Sequence, residues 1–453
     1  MFENQPVRGW SKGVVALIVA ALALFSATII MTGCEGAALD DGDGDGGGGI
    51  VIIDGSWQPA GDPDSLGNAS GTAEPRVFFY AAGKANVVWT GAPDGYSVES
   101  NAFTGAGWTG QEMRDFTNFA SPEPRIFSNG FNVSYAVWRA PSECVQVYGA
   151  RIDGTSWGTA QELSDFCGGG DDGLQDIAFQ IGEAEVAFAV WQENGEDVYA
   201  SRHDSDWGTS EVISDIGGDD PRVAVDPSGN AMVIWRDMEY QDLRGNYYSG
   251  GSWNAPASEY EISTNDVYIS GEKIEADLAP GPNGEFAAVW RGTDNKIYAA
   301  YFDGAWSSQT LISTSAWNAT PHVTFTPGGD IVAVWDDNSY VLAARFPAGA
   351  EWPGGWEGPW QISPEAGEAW RETEIAADLG GNVFFVWGGD TIYARRYPSG
   401  ADWATWAASN EDMTDLDPLS NWSEAPHISV DANGRAVVVW ERDGNIYSKR
   451  WFE

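Results

Sequence analysis

Residues Pro426–Trp451 read PHISVDANGRAVVVWERDGNIYSKRW. His427–Asp431 alternates apolar and polar residues, and Asn433-Gly434 is a tight-turn pair. Ala436–Trp440 is a continuous apolar run, Asp443-Gly444-Asn445 is a second turn, and Ile446–Trp451 is a third short run. Alternation, an apolar run and turn dipeptides in this order specify three antiparallel strands. The unit recurs along the chain. The tryptophan that closes its apolar run returns as Trp89, Trp138, Trp191, Trp235, Trp290, Trp335, Trp387 and Trp440. Successive spacings are 49, 53, 44, 55, 45, 52 and 53 residues. A period of that size with several strands per unit predicts a β-propeller. One such unit cannot cover both faces of its sheet, so neighbours must stack. A buried tryptophan removes roughly 150–250 Å² from water. At about 25 cal/mol/Å² that is at most ~4–6 kcal/mol each. The eight tryptophans are therefore read as core.

Call the strands of a unit A to D, from the axis outward. Strand A opens with a short motif placed 14 residues before the tryptophan in most units: Pro75-Arg76-Val77, Pro124-Arg125-Ile126, Pro221-Arg222-Val223, Pro321-His322-Val323 and Pro426-His427-Ile428. The aligned triplets elsewhere are Gln175-Asp176-Ile177, Ala276-Asp277-Leu278 and Thr373-Glu374-Ile375. Strand C is expected at an aromatic or apolar pair such as Val147-Tyr148, Ile297-Tyr298 or Tyr247-Tyr248. Strand D is expected at a further tryptophan, with Trp356 or Trp360 in the sixth unit and Trp403 or Trp406 in the seventh. The last unit ends at Glu453 with no strand D of its own, while Gly55-Ser56-Trp57 near the start carries that motif. The prediction is an all-β, eight-bladed β-propeller of four-stranded blades. Its N-terminal strand completes the C-terminal blade, which removes the free sheet edges. Such a closed ring is expected to be a monomer.

The chain divides into three segments. Residues 1–33 form a targeting segment: Arg8 and Lys12, the apolar stretch Val14–Met31, then Met31-Thr32-Gly33-Cys34. That ending resembles the lipobox of bacterial lipoproteins, with Met31 in place of the usual leucine. The resemblance implies cleavage before Cys34, lipidation of Cys34 and an exported body held at the membrane by acyl chains. An uncleaved anchor is the alternative, since the stretch is nearly long enough to span a bilayer. In enterobacterial lipoproteins an aspartate after the cysteine favours inner-membrane retention. Here that residue is Glu35, so the outer membrane is expected. Residues 34–49 are an acidic, glycine-rich tether. Its Asp41-Gly42-Asp43-Gly44-Asp45 run has a faint likeness to a calcium loop but lacks the twelfth-position acid. Apart from that weak Ca²⁺ possibility, no cofactor is expected. Residues 50–453 are the propeller. The remaining cysteines, Cys144 and Cys167, read as a disulfide in an exported protein.

The formal net charge is −44, with 67 acids against 23 bases. That excludes nucleic acid and anionic lipid surfaces as partners. Only five bases are lysines, and acid-rich, lysine-poor surfaces of this kind resemble those of halophilic or marine proteins.

In a propeller the start of strand A and the end of strand B are expected on one face, around the channel mouth. The strand A starts place Arg76, Arg125, Asp176, Arg222, Asp277, His322, Glu374 and His427 there. The residues after the tryptophan add Arg139, Arg236 and Arg291. Arginine forks suit carboxylates, so a ring of them in so acidic a chain points to an anionic ligand. Trp317, Trp370 and Trp422 in nearby loops offer surfaces for sugar rings. The plainer reading is that these arginines pair with acids of adjacent blades. No metal site is assigned, because His322 and His427 lie two blades apart.

The repeat resembles the sialidase-like and lectin-like propellers of exported bacterial proteins over residues 50–453, without singling out one family. The sialidase Asp-box, Ser-x-Asp-x-Gly-x-x-Trp, is not met; Asp153-Gly154-Thr155-Ser156-Trp157 is the nearest piece, with the wrong spacing. The outer-membrane assembly lipoprotein is also an eight-bladed propeller, but its repeat differs. The expected function is that of a binding module for an envelope glycan or protein partner. The alternatives are a glycoside hydrolase or lyase acting on acidic polysaccharide, with Asp277, Glu374 and Asp336 as its acids, and a structural envelope scaffold.

Overall fold

A computed structural model describes residues 56–452 except 60–61, 70–72, 92–96, 117–121, 142–144, 165–174, 180–184, 194–196, 216, 265–266, 271–272, 315–319, 338–339, 365–371, 410–411 and 419–422. Eight antiparallel sheets follow one another around a ring. Blade 5 is typical: strand A Ala276–Pro280, B Phe286–Arg291, C Ile297–Phe302 and D Thr310–Ser313. The apolar run of each unit is strand B, buried on both faces because a blade lies on either side.

The repeat tryptophans hold the blades together. None is more than 2% exposed. Each shares a core cluster with strand B of the preceding blade. Trp290 packs with Met232 and Ile234, Trp335 with Val289, Trp387 with Val332 and Val334, and Trp440 with Phe384 and Val386. Trp89 of the first blade packs with Val437 and Val439 of the last, which closes the circle. In five blades a strand C tyrosine sits directly across from the tryptophan and stacks on it, as Tyr148 does on Trp138 and Tyr447 on Trp440. Leu163-Ser164, Ile213-Ser214, Ile262-Ser263 and Ile362-Ser363 each carry a serine after a leucine or isoleucine on the strand D side, and these serines have a structural role as well. Ser164, Ser214, Ser263 and Ser363 each accept a strand C N–H at 2.8–3.0 Å.

Closure follows the expected route. Ser56–Gln58 and Asp64–Asn68 both pair antiparallel with Asn445–Phe452, with Trp57 opposite Trp451. The two indoles meet edge-on, 5.6 Å apart. Asp64 adds an ion pair to Arg450 at 2.9 Å.

Tyr247 and Tyr248 lie on strand C of blade 4, Leu243–Ser249, as expected, with Leu243 and Arg244 opposite the tryptophan end of strand B. One local expectation is corrected. In blade 7, Trp403 and Trp406 are not on strand D. They lie on a short α-helix, Trp403–Ala408, and strand D is Thr414–Asp415. Asp402 caps that helix by accepting Thr405 N–H at 2.8 Å. Arg395, buried, donates to the carbonyls of Trp406 and Ser409 and to Asp412 Oδ1 at 2.9 Å. With Trp403 stacked on Tyr397 and Trp406 tilted against Phe385, the helix replaces a strand edge with a second small core. Cys34, Cys144, Cys167, the Asp41–Asp45 run, Trp317, Trp370 and Trp422 lie outside the described residues. Among the described residues no helix is long and apolar enough to cross a membrane.

Deleting Ser56–Asn68 should strip the outer strands from the last blade and bare the edge of Asn445–Phe452. The expected result, read by thermal unfolding and size-exclusion chromatography, is a lower Tm and self-association. A deletion variant that stays monomeric at the parent Tm would contradict the closure described here.

Candidate functional site

The innermost strands bring their first residues together at one end of the ring axis. A cavity of about 510 Å³ opens there. Arg76, Arg125, Asp176, Arg222, Asp277, His322, Glu374 and His427, one from each blade, all line it. Alternation along the strand puts the residues two positions earlier on the same side. Glu74, Glu275 and Glu372 form this outer rim.

Side chains of this layer stitch neighbouring blades. Asp176 Oδ2 accepts the N–H of Val223 at 3.1 Å, Asp277 Oδ2 that of Val323 at 2.9 Å, and His427 Nδ1 that of Val77 at 3.3 Å. Each bond runs from one blade to the next, and the last crosses from blade 8 to blade 1. Three of the eight positions thus cement the ring, through backbone N–H groups and not through the arginine–acid pairs of the plainer reading.

The arginines are not treated alike. Three of them follow an acid-Pro-Arg sequence, Glu74-Pro75-Arg76, Glu123-Pro124-Arg125 and Asp220-Pro221-Arg222. In all three the acid takes a left-handed φ, between 37° and 45°. A left-handed non-glycine residue costs roughly 1–2 kcal/mol. The turn brings acid and arginine together in blade 4, where both Arg222 terminal nitrogens donate to Asp220, one at 2.9 Å. In blade 2 the acid faces elsewhere: Glu123 accepts from Arg139 at 2.9 Å. Arg125 reaches across to blade 1 instead. There Arg76 and Arg125 approach the same oxygen, Glu74 Oε2, at 3.7 and 3.5 Å. Those distances are at or beyond the limit of a hydrogen bond. Two guanidinium groups thus face one cavity and approach one oxygen of the same carboxylate.

The histidines differ in protonation. Burial disfavours a charged His322, but the carboxylates of Glu374 and Asp277 outweigh it, and its pKa rises to about 9. Its Nδ1 lies 3.5 Å from Asp277 Oδ2. His427 is pushed well below the ordinary histidine value by burial and by the charges of Arg76, Arg125 and His322. It is neutral, and because its Nδ1 accepts the Val77 N–H, its Nε2 carries the proton. Burial raises the carboxyl pKa values of Asp176, Glu275, Glu372 and Glu374. Burial, reinforced by Arg125, lowers that of Arg76. An arginine does not give up its proton, so this strain on the charged state is relieved by bringing an anion close.

Arg139, Arg236 and Arg291 are not among the cavity-lining residues. Arg139 pairs with Glu123, Arg236 with Asp219 at 3.1 Å, and Arg291 donates to Asn295 at 2.6 Å and lies 3.8 Å from the Tyr268 ring centre. They lie on strand B, one strand spacing further from the axis than strand A, and each turns to a partner within its own sector. The rim acids Glu74, Glu275 and Glu372 escape the sequence reading. Their signal is an acid two residues before the strand A motif residue. Among the described residues no group of three or more His, Cys, Asp or Glu is placed to hold a metal ion.

No family model and no curated protein matches this chain. Solved structures similar to it include a fucose-specific lectin from Aleuria aurantia, 14% identical over 64% of this chain and 96% of that one, with a TM-score of 0.39. YCF48 bound to D1 peptide is 11% identical over 88% and 97%, with a TM-score of 0.44. An ulvan lyase, a polysaccharide lyase bound to -[GlcA(1-4)Rha3S]-, is 7% identical over 85% and 94%, with a TM-score of 0.45. Likeness at this level concerns the propeller architecture and carries nothing about ligand.

A raised histidine pKa stabilises the fold below the ordinary value and loses that contribution as pH climbs through the raised one. His322 should therefore support stability up to neutral pH and cease to do so as pH passes about 9. In a histidine-ring NMR titration His322 is expected to titrate near 9 and His427 to stay neutral well below pH ~6.5. Glu374→Gln should bring the His322 value down. Two histidines titrating together near 6.5 would contradict this picture.

Proposed function

We propose that this propeller is a binding module whose channel mouth takes the carboxylate of an acidic glycan, held at the cell envelope by a lipid on Cys34. The observation that carries the reading is the Arg76–Arg125 pair, which shares Glu74 Oε2 at 3.7 and 3.5 Å over an open cavity. An incoming carboxylate offers these two forks shorter, charge-assisted bonds. His322, protonated at neutral pH, and the Nε2–H of His427 are further donors on the same cavity. The carboxylates of Glu275, Asp277 and Glu374 accept hydrogen bonds from sugar hydroxyls. An outer-membrane location and a protein partner in place of a glycan belong to the same proposal as its less specific parts.

Binding fits the protonation states better than turnover. Neither histidine has a free lone pair for proton abstraction: one is cationic, and the other spends its Nδ1 on Val77. The second reading, a hydrolase or lyase on acidic polysaccharide, draws on Glu372 and Glu374. Burial raises both carboxyl groups, which suits an acid catalyst.

Arg76→Ala and Arg125→Ala should each weaken binding of a galacturonate oligosaccharide about 10- to 100-fold. That is the loss of one charged hydrogen-bonding partner worth roughly 1.5–3 kcal/mol. Arg435→Ala, on a turn at the far end of strand A, should leave binding unchanged. Calorimetry gives the affinities, and circular dichroism checks that Tm is retained. No uronate binding by the parent protein, or equal binding by all three variants, would overturn the reading. Release of unsaturated or hydrolysed product would move the assignment to the enzyme.

A further inference from the structure

We infer that the site reads the end of an acidic chain rather than a stretch along it. This rests on the carboxylate reading above and adds how the ligand enters.

Among the described residues that line the cavity, Phe78 and Phe127 lie furthest along their strands from the rim. Their rings lie 4.4 Å apart between centroids, and Phe78 is 5.4 Å from the His427 ring. At the same register blades 4 to 8 carry Ala224, Ala279, Thr324, Ala376 and Ser429. Only blades 1 and 2 place large rings there, and these are the blades of the arginine pair. Phe78 and Phe127 follow Arg76 and Arg125 by two residues, about 7 Å along a strand. The floor and the carboxylate-binding forks are thus adjacent layers of the same two strands. These rings narrow the way along the axis on the side of blades 1 and 2.

A chain lying across the mouth meets a second obstacle. The rim is acidic, with Glu74, Glu275 and Glu372 one register step above the arginines. Successive carboxylates of a polyuronate would face these groups and the strongly negative protein as a whole. A terminal residue escapes both obstacles. It dips below the rim, sets its carboxylate between Arg76 and Arg125, and lays its apolar face on the aromatic floor. The volume, about 510 Å³, is at the scale of a small ligand and not of a polymer segment.

The experiment is a calorimetric series on the full chain in detergent, with galacturonate monomer, dimer, longer oligomers and polygalacturonate. Affinity per molecule should level off by the dimer, and the binding ratio for the polymer should count chain ends. Phe78→Ala should lower affinity about tenfold for the monomer and the longer oligomers alike, since each sets one terminal ring there; Phe127→Ala, measured alongside, covers the case in which one variant does not fold. Affinity that climbs steadily with length, with a binding ratio that counts sugar units and is still lost in Arg76→Ala, would overturn end recognition and leave the carboxylate site standing. Failure of every uronate to bind would remove the carboxylate reading and this inference with it.

Discussion

Each blade of this protein has a sheet that cannot cover itself, and one indole per blade covers it against the neighbour. Trp138 does this on blade 1, Trp440 on blade 7, and Trp89 returns to blade 8. The arrangement works only as a circle. If one interface is absent, the indole of one blade and the strand B face of another are left in water together. Closure is carried by Ser56–Gln58 and Asp64–Asn68, drawn from the opposite end of the chain to the strand they pair with. This placement converts eight marginal sheets into one cooperative body.

The channel mouth is a consequence of that circle. Strand A is innermost, so its first residue in each blade meets seven others around the axis. A layer so crowded with ionisable groups must be resolved by pairing, by proton shifts or by a ligand. The structure uses the first two in most sectors. Asp220 takes Arg222, Asp277 takes His322, and His427 loses its charge. The sector of blades 1 and 2 is different because Glu123 goes to Arg139 and leaves Arg125 to share Glu74 with Arg76. The asymmetry lies in one acid's choice of partner. It separates a ring that is only cemented from one that presents a cationic face.

Most of the architecture is readable from the chain. The period of the tryptophans, the doublet of turn residues between strands and the orphan strand motif at Ser56-Trp57 each state a packing requirement, and together they admit one ring. The eight axis-facing residues are readable for the same reason, since a fixed distance from a buried tryptophan fixes position around an axis. Partner choice is not readable. Arg139, Arg236 and Arg291 share a sequence position with one another and turn to acids or an amide within their own blades. Whether an arginine faces a cavity or a neighbour depends on side-chain reach of a few ångströms. The rim acid Glu74 is hidden by the same limit, because an acid-Pro-Arg triplet reads as a turn until the left-handed φ of its first residue is seen. Trp403 and Trp406 look like strand D because their spacing suits it. A six-residue helix capped by Asp402 and anchored by buried Arg395 suits it too.

A crystal structure of the protein with digalacturonate would test the carboxylate site most directly. One terminal carboxylate should lie between the guanidinium groups of Arg76 and Arg125, with its sugar ring above Phe78 and Phe127. Digalacturonate found instead in the groove of about 450 Å³ between blades 6 and 7, against Asp330, Arg345 and Tyr397, with the channel mouth unliganded, would contradict that site.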